Sequence, residues 1–343
     1  MRVGVIGTTS WGTALGLILA RREVDVVLWA RTHEEAETLN RAGKNARFLP
    51  DCPFPSSLTV SSSPDEALGA AEVVIFAVPS HSLRENTRLI RSAIPSTAVI
   101  VSGVKGLEVG TGLRMTQVLE EELGVEARDR LCALSGPNLA REIAIGMPAS
   151  TVVAARSQET AIRVQDLFNN PLFRVYTNAD VVGVELGGSL KNIVALVAGM
   201  ADGLHCGDNG KAAIISRAVA EMIRLGVALG ANPLTFSGLA GLGDLIATCY
   251  SPLSRNHYVG QELGNGRKLD DILSHMDNVA EGVDTTKAAL VLAAKVGVEM
   301  PIAQQTARVL WGGLSPMQAV EELMSRLPKA ENPFDPWRGI HAG

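Results

Sequence analysis

The sequence is poor in aromatic residues and carries no excess of positive charge. Only 4% of its 343 residues are aromatic, and the formal net charge is −5. A surface that stacks nucleic-acid bases and follows a phosphate backbone needs aromatic and basic side chains. Both features therefore argue against nucleic acid as a partner, although a local basic patch could still bind a single phosphate.

Cysteine is also scarce, and the four residues Cys52, Cys132, Cys206 and Cys249 are far apart. The sequence has no C-x-x-C pair and no cysteine–histidine cluster with the spacing of a zinc site, so we expect free thiols and no metal. The apolar stretch after Arg2 is too short for a signal peptide, and no run approaches the length of a membrane span. We therefore expect a cytoplasmic protein.

Apolar runs that stop at glycine or proline recur through the first half of the chain. The predicted strands are residues 3–7, 24–31, 71–79, 98–106, 131–137 and 149–156. Helical patterns lie between most of them, which predicts an α/β fold with a Rossmann-like, doubly wound and mostly parallel sheet. Helical patterns dominate from Val182 onward and predict an all-α C-terminal domain.

These patterns divide the chain into three parts. We predict a dinucleotide-binding domain over 1–180 and an all-α substrate and catalytic domain over 181–326. The remaining segment, 327–343, is rich in proline and glycine and is expected to be a poorly ordered tail.

The stretch GTTSWGTA, residues 7–14, joins the first predicted strand to the first predicted helix. Dinucleotide sites have the pattern G-x-G-x-x-G at this point; here Gly7 and Gly12 hold the outer positions, and Thr9 replaces the middle glycine. The helix N-terminus offers free N–H groups to a diphosphate. We expect a cofactor site in which Thr9 widens the turn or binds phosphate through its hydroxyl. A packing turn without a ligand is the alternative.

The second predicted strand ends at Arg31, which is followed by Thr32. An NAD-selective site usually carries Asp or Glu at this point. An arginine can instead hold a 2′-phosphate with two hydrogen bonds and stack on adenine. NADP(H) is therefore expected to be accepted, slightly in preference to NAD(H); the alternative is a solvated surface arginine.

Lys191 interrupts the otherwise uncharged helical stretch LGGSLKNIVALVAGMA. Gly187 and Gly188 lie one turn before it, and each glycine in a helix costs about 1 kcal/mol relative to alanine. Something large is therefore expected to approach this face, either another helix or a ligand. An ammonium whose pKa is lowered by burial and by a second cation suits proton transfer.

Two later stretches favour the ligand. Asp244, in GLAGLGDLIATC, enters a predicted helix, where it either caps the helix or holds Lys191. Ser254, Arg255 and Asn256 fall together in the predicted first turn of another helix. An arginine beside free backbone amides at such a terminus suits a phosphate ester.

From Met1 to about Arg326 the sequence resembles the bacterial NAD(P)-dependent glycerol-3-phosphate dehydrogenases. The motifs that carry the resemblance are SWGTAL, VPSH, VKGLE, SGPNLAREIA, VELGGSLKN, GLAGLGD, SRN, VAEG and GVEMPI, in the family's order. Thr9 and the tail depart from it. The resemblance implies reversible reduction of dihydroxyacetone phosphate to sn-glycerol 3-phosphate for glycerophospholipid synthesis, with NADPH or NADH and without a metal. The apolar helical domain makes a homodimer possible.

The resemblance also implies residue roles. Lys191 would exchange the proton, Asp244 would orient it, and Lys105 would approach the substrate while its charge lowers the pKa of Lys191. The other residues implied to bind the substrate are Gly136, Asn138, Ser254, Arg255 and Asn256. Those expected to bind the cofactor are Gly7, Ser10, Trp11, Gly12, Arg31, Thr32, Lys105, Ala140, Arg255, Val279 and Glu281. His81, in VPSH, is expected to shape the cofactor edge rather than act as a base.

Two other functions compete with this one. A related two-domain dehydrogenase of 3-hydroxy acids would use the same lysine but would bind a carboxylate, whereas the group at 254–256 favours a phosphate. A non-catalytic NADP(H)-binding sensor would explain the altered glycine loop. It would not explain why Lys105, Lys191, Asp244 and Arg255 are all present.

Overall fold

The computed structural model describes residues 1–276, 280–328 and 331. Its N-terminal half is built on one eight-stranded sheet with the order β3-β2-β1-β4-β5-β6-β7-β8. The strands are β1 (Arg2–Ile6), β2 (Asp25–Trp29), β3 (Leu58–Ser61), β4 (Val73–Phe76), β5 (Val99–Ser102), β6 (Leu131–Ser135), β7 (Ala149–Ala155) and β8 (Phe173–Asn178). Neighbouring strands are parallel except β6 and β7, which are antiparallel.

The predicted doubly wound, mostly parallel sheet is thus confirmed. Sequence analysis missed β3 and β8, which form the two edges of the sheet. Both begin with alternating buried and exposed residues. They therefore lack the continuous apolar run that marks a central parallel strand, buried on both faces.

Helices pack on both faces of this sheet. They are α1 (Ser10–Ala20), α2 (His33–Ala42), α3 (Pro64–Leu68), α4 (Leu83–Ile90), α5 (Met115–Leu123), α6 (Ala140–Ala144) and α7 (Gln158–Phe168). Val5 and Ile75 belong to one apolar core, whereas their neighbours Ile6 and Phe76 belong to another. Successive side chains of a strand point to opposite faces, so each central strand contributes to both cores.

Beyond residue 180, the described part of the chain is helical, as the fold prediction stated. The helices are α8 (Val181–Gly203), α9 (Gly207–Ala228), α10 (Asp244–Tyr250), α11 (Arg255–Gly264), α12 (Leu269–Ser274), α13 (Glu281–Lys295), α14 (Pro301–Trp311) and α15 (Pro316–Met324). The predicted boundary at 180 falls between β8 and α8. Apart from residues 327, 328 and 331, the predicted tail lies outside the described residues.

Helix α8 is the central helix of the second half. Its 23 residues and mean hydropathy of 1.5 would suit a membrane span by length and composition. However, 89% of its apolar window is buried inside the protein, as in the core helix of a globular fold.

Helix α8 also joins the two halves of the molecule. Val184 packs with Ala133 and Val152, which belong to β6 and β7. One turn further, a Cβ on Gly188 would come within 2.4 Å of the Ser135 hydroxyl, at the carboxyl end of β6. These contacts hold the middle of α8 at the edge of the sheet where ligands of open α/β folds bind.

Candidate functional site

Lys191 on α8, Lys105 after β5 and Asp244 at the start of α10 form one charged cluster. Lys191 Nζ donates a hydrogen bond to Asp244 Oδ1, and Lys105 Nζ donates one to Asp244 Oδ2 at 2.7 Å. Asp244 is only 1% exposed and Lys191 only 7%. The cap position of α10 is occupied by Gly243. Asp244 therefore holds the lysines rather than capping its helix.

The cluster adjusts the acidity of Lys191. Burial is the strongest influence on the pKa of Lys191 and lowers it; Asp244 raises it, and the positive charge of Lys105 lowers it again, so that the pKa is about 8. A lysine with this pKa is present in both protonation states near neutral pH. That property suits a group that gives and takes a proton.

Thr248 is a further member of the cluster, which sequence analysis missed. Its hydroxyl accepts a hydrogen bond from Lys191 Nζ at 2.7 Å and donates one to the Asp244 carbonyl at 2.7 Å. Thr248 lies one helical turn after Asp244, so the spacing of four residues could have identified it. Together, Thr248 and Asp244 hold the ammonium of Lys191 from one helix.

The two glycines before Lys191 are explained by protein contacts. A Cβ on Gly187 would lie 2.6 Å from the carbonyl oxygen of Ala240, and the Gly188 position faces Ser135. The close approach that the sequence predicted is therefore real. It is made by the helical segment that leads into α10, one of the two alternatives expected, and by β6.

The turn that carries Lys105 is fixed from two sides. Trp11, at the start of α1, donates from Nε1 to the Gly103 carbonyl at 3.2 Å, and Ser189 of α8 donates to the Gly106 carbonyl at 3.0 Å. Lys105 Nζ also donates to the Gly136 carbonyl at 2.9 Å. These bonds connect the glycine loop, the Lys105 turn and the helix of Lys191.

The glycine loop has the shape of a phosphate site at the start of α1. Gly7 has φ = +112°, and a Cβ on Gly12 would lie 2.1 Å from the Gly7 carbonyl oxygen, so both positions require glycine. Within the described residues, the backbone N–H groups of Ser10 and Trp11 have no protein acceptor. Two free N–H groups at a helix N-terminus fit a diphosphate.

Thr9 caps α1 from inside the loop. Its hydroxyl accepts a hydrogen bond from the Gly12 N–H at 3.2 Å and donates one to the Ala77 carbonyl at 2.8 Å. The hydroxyl therefore faces the protein. Thr9 was expected either to widen the turn or to bind phosphate. With both of its hydrogen bonds made to the protein backbone, the hydroxyl does not point toward a phosphate.

Arg31 lies two residues beyond the end of β2, which stops at Trp29 rather than at Arg31 as expected. Its Nε donates to Asn86 Oδ1 at 3.1 Å, and its Nη2 lies 3.3 Å from the carboxylate of Glu85. Thr32 caps α2 by accepting a hydrogen bond from the Glu35 N–H at 3.2 Å. Arg31 is thus exposed but not simply solvated.

Ser254, Arg255 and Asn256 occupy the first turn of α11, as predicted. Ser254 caps the helix. Arg255 is exposed, yet desolvation by the atoms around it lowers the pKa of its guanidinium. Within the described residues its guanidinium makes no hydrogen bond or ion pair. An unpaired arginine at a helix N-terminus can bind phosphate oxygens.

Asn256 connects this turn to Lys191. Its amide donates to Asn192 Oδ1 at 3.0 Å, and its carbonyl oxygen accepts from the Gly282 N–H at 2.9 Å. Asn192 directly follows Lys191 on α8. The side chain of Asn256 therefore ties the first turn of α11 to α8 and α13 and keeps one amide hydrogen without a bond to these two partners.

Glycines bring α8 and α11 into backbone contact. A Cβ would lie 1.9 Å from the Leu196 carbonyl oxygen at Gly260, 2.0 Å from the His257 carbonyl oxygen at Gly199, and 2.7 Å from the Met200 carbonyl oxygen at Gly264. No other residue allows helices to approach so closely. The separation of Lys191 from the start of α11 is thereby set by backbone atoms.

The remaining predicted substrate residues follow β6. Gly136 has φ = +152° and accepts from Lys105. Asn138 donates to the Ser150 carbonyl at 3.2 Å and accepts from Thr151 at 3.0 Å, so its amide is largely occupied by β7. Ala140 begins α6, which packs against α1.

Glu281, at the start of α13, reaches the first half of the chain. Its carboxylate accepts hydrogen bonds from the N–H of Ser80, at 3.0 Å, and from the Ser80 hydroxyl. Burial raises the pKa of Glu281. His81, next to Ser80, is exposed on the same short turn. Val279, the other residue expected here, lies outside the described residues.

A cavity of about 780 Å³ lies elsewhere in the molecule, between α5 and the start of α8. None of the predicted site residues lines it. Across residues 1–276, 280–328 and 331, no three His, Cys, Asp or Glu side chains form a group that could hold a metal ion. The candidate site is instead the set of contacts that joins Lys191, Asp244 and Lys105 to the start of α11 through Asn192 and Asn256.

Family models and relatives match nearly the whole chain. The model for the NAD-dependent glycerol-3-phosphate dehydrogenase N-terminus matches residues 2–161, and that for the C-terminus of the same family matches 180–321. A glycerol-3-phosphate dehydrogenase [NAD(P)+] of Dehalococcoides mccartyi is 51% identical over 94% of this chain and 90% of its own length. One of Chlorobium limicola is 48% identical over 96% of this chain and 99% of its own.

A solved structure agrees with these matches. The crystal structure of glycerol-3-phosphate dehydrogenase from Coxiella burnetii superposes with a TM-score of 0.90 at 35% identity, and covers 95% of this chain and 99% of its own. A ketopantoate reductase from Ralstonia eutropha shares the fold alone, with a TM-score of 0.59 at 14% identity.

Proposed function

The chain belongs to the NAD-dependent glycerol-3-phosphate dehydrogenase family and is an NAD(P)-dependent oxidoreductase, and we propose that Lys191 is the proton donor when it reduces dihydroxyacetone phosphate to sn-glycerol 3-phosphate. The observation that carries this proposal is a buried lysine that Asp244 holds, next to the Asn192 that bonds to the first turn of α11, with its pKa lowered to about 8. The two competing functions, a 3-hydroxy acid dehydrogenase and a non-catalytic sensor, are not favoured by the relatives.

The proposed role of Lys191 follows from the charge that forms during the reaction. Reduction of a ketone places negative charge on the carbonyl oxygen. The ammonium of Lys191 stabilises this charge and then donates its proton, and in the reverse reaction the neutral amine accepts one. Asp244 and Thr248 orient the Nζ atom. Lys105 supplies a second positive charge that keeps Lys191 acidic enough to donate.

Arg255 and the first turn of α11 are proposed to hold the substrate phosphate. The phosphate does not react, so its binding energy serves to place the carbonyl carbon beside the reacting groups. Asn256 contributes by joining this turn to α8, through Asn192. Gly136 and Asn138 are proposed to line the same pocket from the end of β6.

The start of α1 is proposed to hold the cofactor. When bound, the nicotinamide cofactor supplies the hydride. Ser10 and Trp11 offer their backbone N–H groups to the diphosphate, and Gly7 and Gly12 let the backbone approach it. The other residues proposed to contact the cofactor are Arg31, Thr32, Lys105, Ala140, Arg255, Val279 and Glu281. An exposed Arg31 supports a slight preference for NADPH.

The wider setting is proposed on the same basis. We place the domain boundary at 180 and the substrate domain over 181–326. The four cysteines are free, which fits a reducing cytoplasm. A role in glycerophospholipid synthesis and a homodimer are also proposed. Light scattering on the purified protein would test the homodimer.

Two variants test the assignment in an absorbance assay with dihydroxyacetone phosphate. Lys191→Ala should lose most of kcat while still binding NADPH. Arg255→Ala should mainly raise KM for the substrate, with a smaller loss of kcat. Arg267→Ala removes an exposed arginine that pairs with Glu262 and serves as the matched control. An unchanged KM in Arg255→Ala would refute the phosphate assignment, and faster turnover of a 3-hydroxy acid would favour that alternative.

A further inference from the structure

The guanidinium of Arg31 is held from two directions by consecutive residues of α4. Asn86 is only 2% exposed, and its amide donates to the Ser82 carbonyl at 2.8 Å, so its carbonyl oxygen is fixed where it accepts from Arg31 Nε. Glu85 approaches the Nη2 atom from the solvent side. The side chains of Arg31 and Glu85 are 49% and 68% exposed.

These two contacts differ in how easily they open. The buried Asn86 sets the orientation of the Arg31 guanidinium. The exposed pair with Glu85 contributes only about 0–1 kcal/mol, since solvent and salt screen it. Glu85 can therefore leave Arg31 at little cost, and its carboxylate is then available for another partner.

Glu85 is the carboxylate that forms an ion pair with Arg31. Two nearby acidic side chains on α2 have other partners: Glu35 accepts from the hydroxyl of Thr8, and Glu37 pairs with Arg41 and His33. Glu34, also on α2, makes no ion pair in the described part of the chain. Two opposite charges thus meet just beyond the end of β2: Arg31 from the segment after the strand and Glu85 from α4.

We propose that Arg31 and Glu85 form a two-way selector for the 2′ position of the cofactor ribose. Glu85 accepts the 2′-hydroxyl of NADH, the task of the acidic residue in NAD-selective sites. Arg31 binds the 2′-phosphate of NADPH after Glu85 moves away, and the charge of Glu85 opposes that phosphate. This proposal rests on the proposed role of Arg31 in cofactor binding. Neither residue takes part in the chemical step.

Two substitutions separate the charge of Glu85 from its hydrogen bond. Glu85→Gln removes the charge but keeps an acceptor, whereas Glu85→Ala removes both. In both variants, kcat/KM for NADPH should rise about three- to fivefold, because an exposed charge contributes less than about 1 kcal/mol. For NADH, kcat/KM should fall by a similar factor in Glu85→Ala and by less in Glu85→Gln.

Glu37→Ala is the matched control, since it removes an exposed carboxylate from α2 with the same change in net charge. It should leave the ratio of the two kcat/KM values unchanged. The gain for NADPH in the Glu85 variants should shrink as salt concentration rises.

The outcomes separate this inference from the role of Arg31 alone. If Glu85→Ala changes both kcat/KM values by less than about twofold, or improves NADPH without weakening NADH, the selector is refuted. Arg31→Ala is the independent test of the proposed function. It should weaken NADPH more than NADH, and equal weakening would remove the 2′-phosphate role, whatever the Glu85 variants do.

Discussion

Replacing Gly260 by alanine tests whether the backbone contact between α8 and α11 sets the position of the phosphate-binding turn relative to Lys191. The new Cβ would lie 1.9 Å from the Leu196 carbonyl oxygen, whereas ordinary contact begins at 3.4 Å, so the helices must move apart by about 1.5 Å. A carbonyl oxygen of a buried helix cannot rotate away as a side chain would. Arg255, five residues before Gly260, would move with its helix.

The expected loss follows from this displacement. A misplacement of about 1 Å between a substrate anchor and the reacting groups can cost about 10²-fold in rate. We therefore expect kcat/KM for dihydroxyacetone phosphate to fall by about 30- to 100-fold in Gly260→Ala. Overpacking should also destabilise the fold by about 1–3 kcal/mol. Affinity for NADPH, measured by fluorescence titration, should fall less than kcat/KM because, of the residues proposed to contact the cofactor, only Arg255 lies on α11.

Two further variants make the test decisive. Gly210→Ala, in α9, is the control, because its Cβ would meet only the Cβ of Cys206, at 3.2 Å. Gly264→Ala would place its Cβ 2.7 Å from the Met200 carbonyl oxygen, further from Arg255, and should lose less activity than Gly260→Ala. If Gly260→Ala does not fold, Gly264→Ala supplies the test. A folded Gly260→Ala enzyme with kcat/KM within about twofold of the parent would refute the reasoning.

Three other predictions concern the groups around Lys191 and the glycine loop. With Lys191 as the proposed proton donor, reduction needs the protonated amine, so its kcat/KM should fall as pH rises through about 8. Lys105→Gln should shift this fall to higher pH because a charge that lowers the pKa of Lys191 is lost. Thr248→Val removes an acceptor from Lys191 Nζ and should lower kcat by up to about tenfold, with KM nearly unchanged. Thr9→Val loses the cap of α1 and should destabilise the protein by about 1–2 kcal/mol and weaken NADPH binding, whereas Thr9→Ser should keep both.

Each of these predictions has an outcome that would contradict it. A pH profile that stays in place in Lys105→Gln would mean that Lys105 does not act on Lys191. Full kcat in Thr248→Val would make the Thr248 contact dispensable. An unchanged melting temperature in Thr9→Val would show that the cap contributes nothing to stability.

Sequence analysis succeeded for the fold where the local pattern had a single physical explanation. The central strands were predicted because a parallel strand buried on both faces is apolar throughout. The edge strands β3 and β8 were missed because their alternating residues resemble those of many surface segments.

For the site, sequence analysis identified residues but not their contacts. The sequence left two roles open for Asp244, capping α10 or holding Lys191. Only the structure shows that the cap of α10 is Gly243. Thr9 was expected either to widen the turn or to bind phosphate through its hydroxyl, and the structure shows that the hydroxyl bonds to the Ala77 carbonyl instead. The Ser80 contact with Glu281 joins residues 201 positions apart, which no local pattern reveals.

The sequence by itself determined the central strands of the sheet, the helical second half and the identity of the chemical groups, because these depend on local pattern and residue type. The tertiary structure decided how those groups act. Asp244 divides its two oxygens between Lys191, 53 residues away, and Lys105, 139 residues away. Burial at that meeting point lowers the pKa of Lys191 to about 8. A pKa shift of this kind depends on the atoms that surround the amine, and packing alone brings them together.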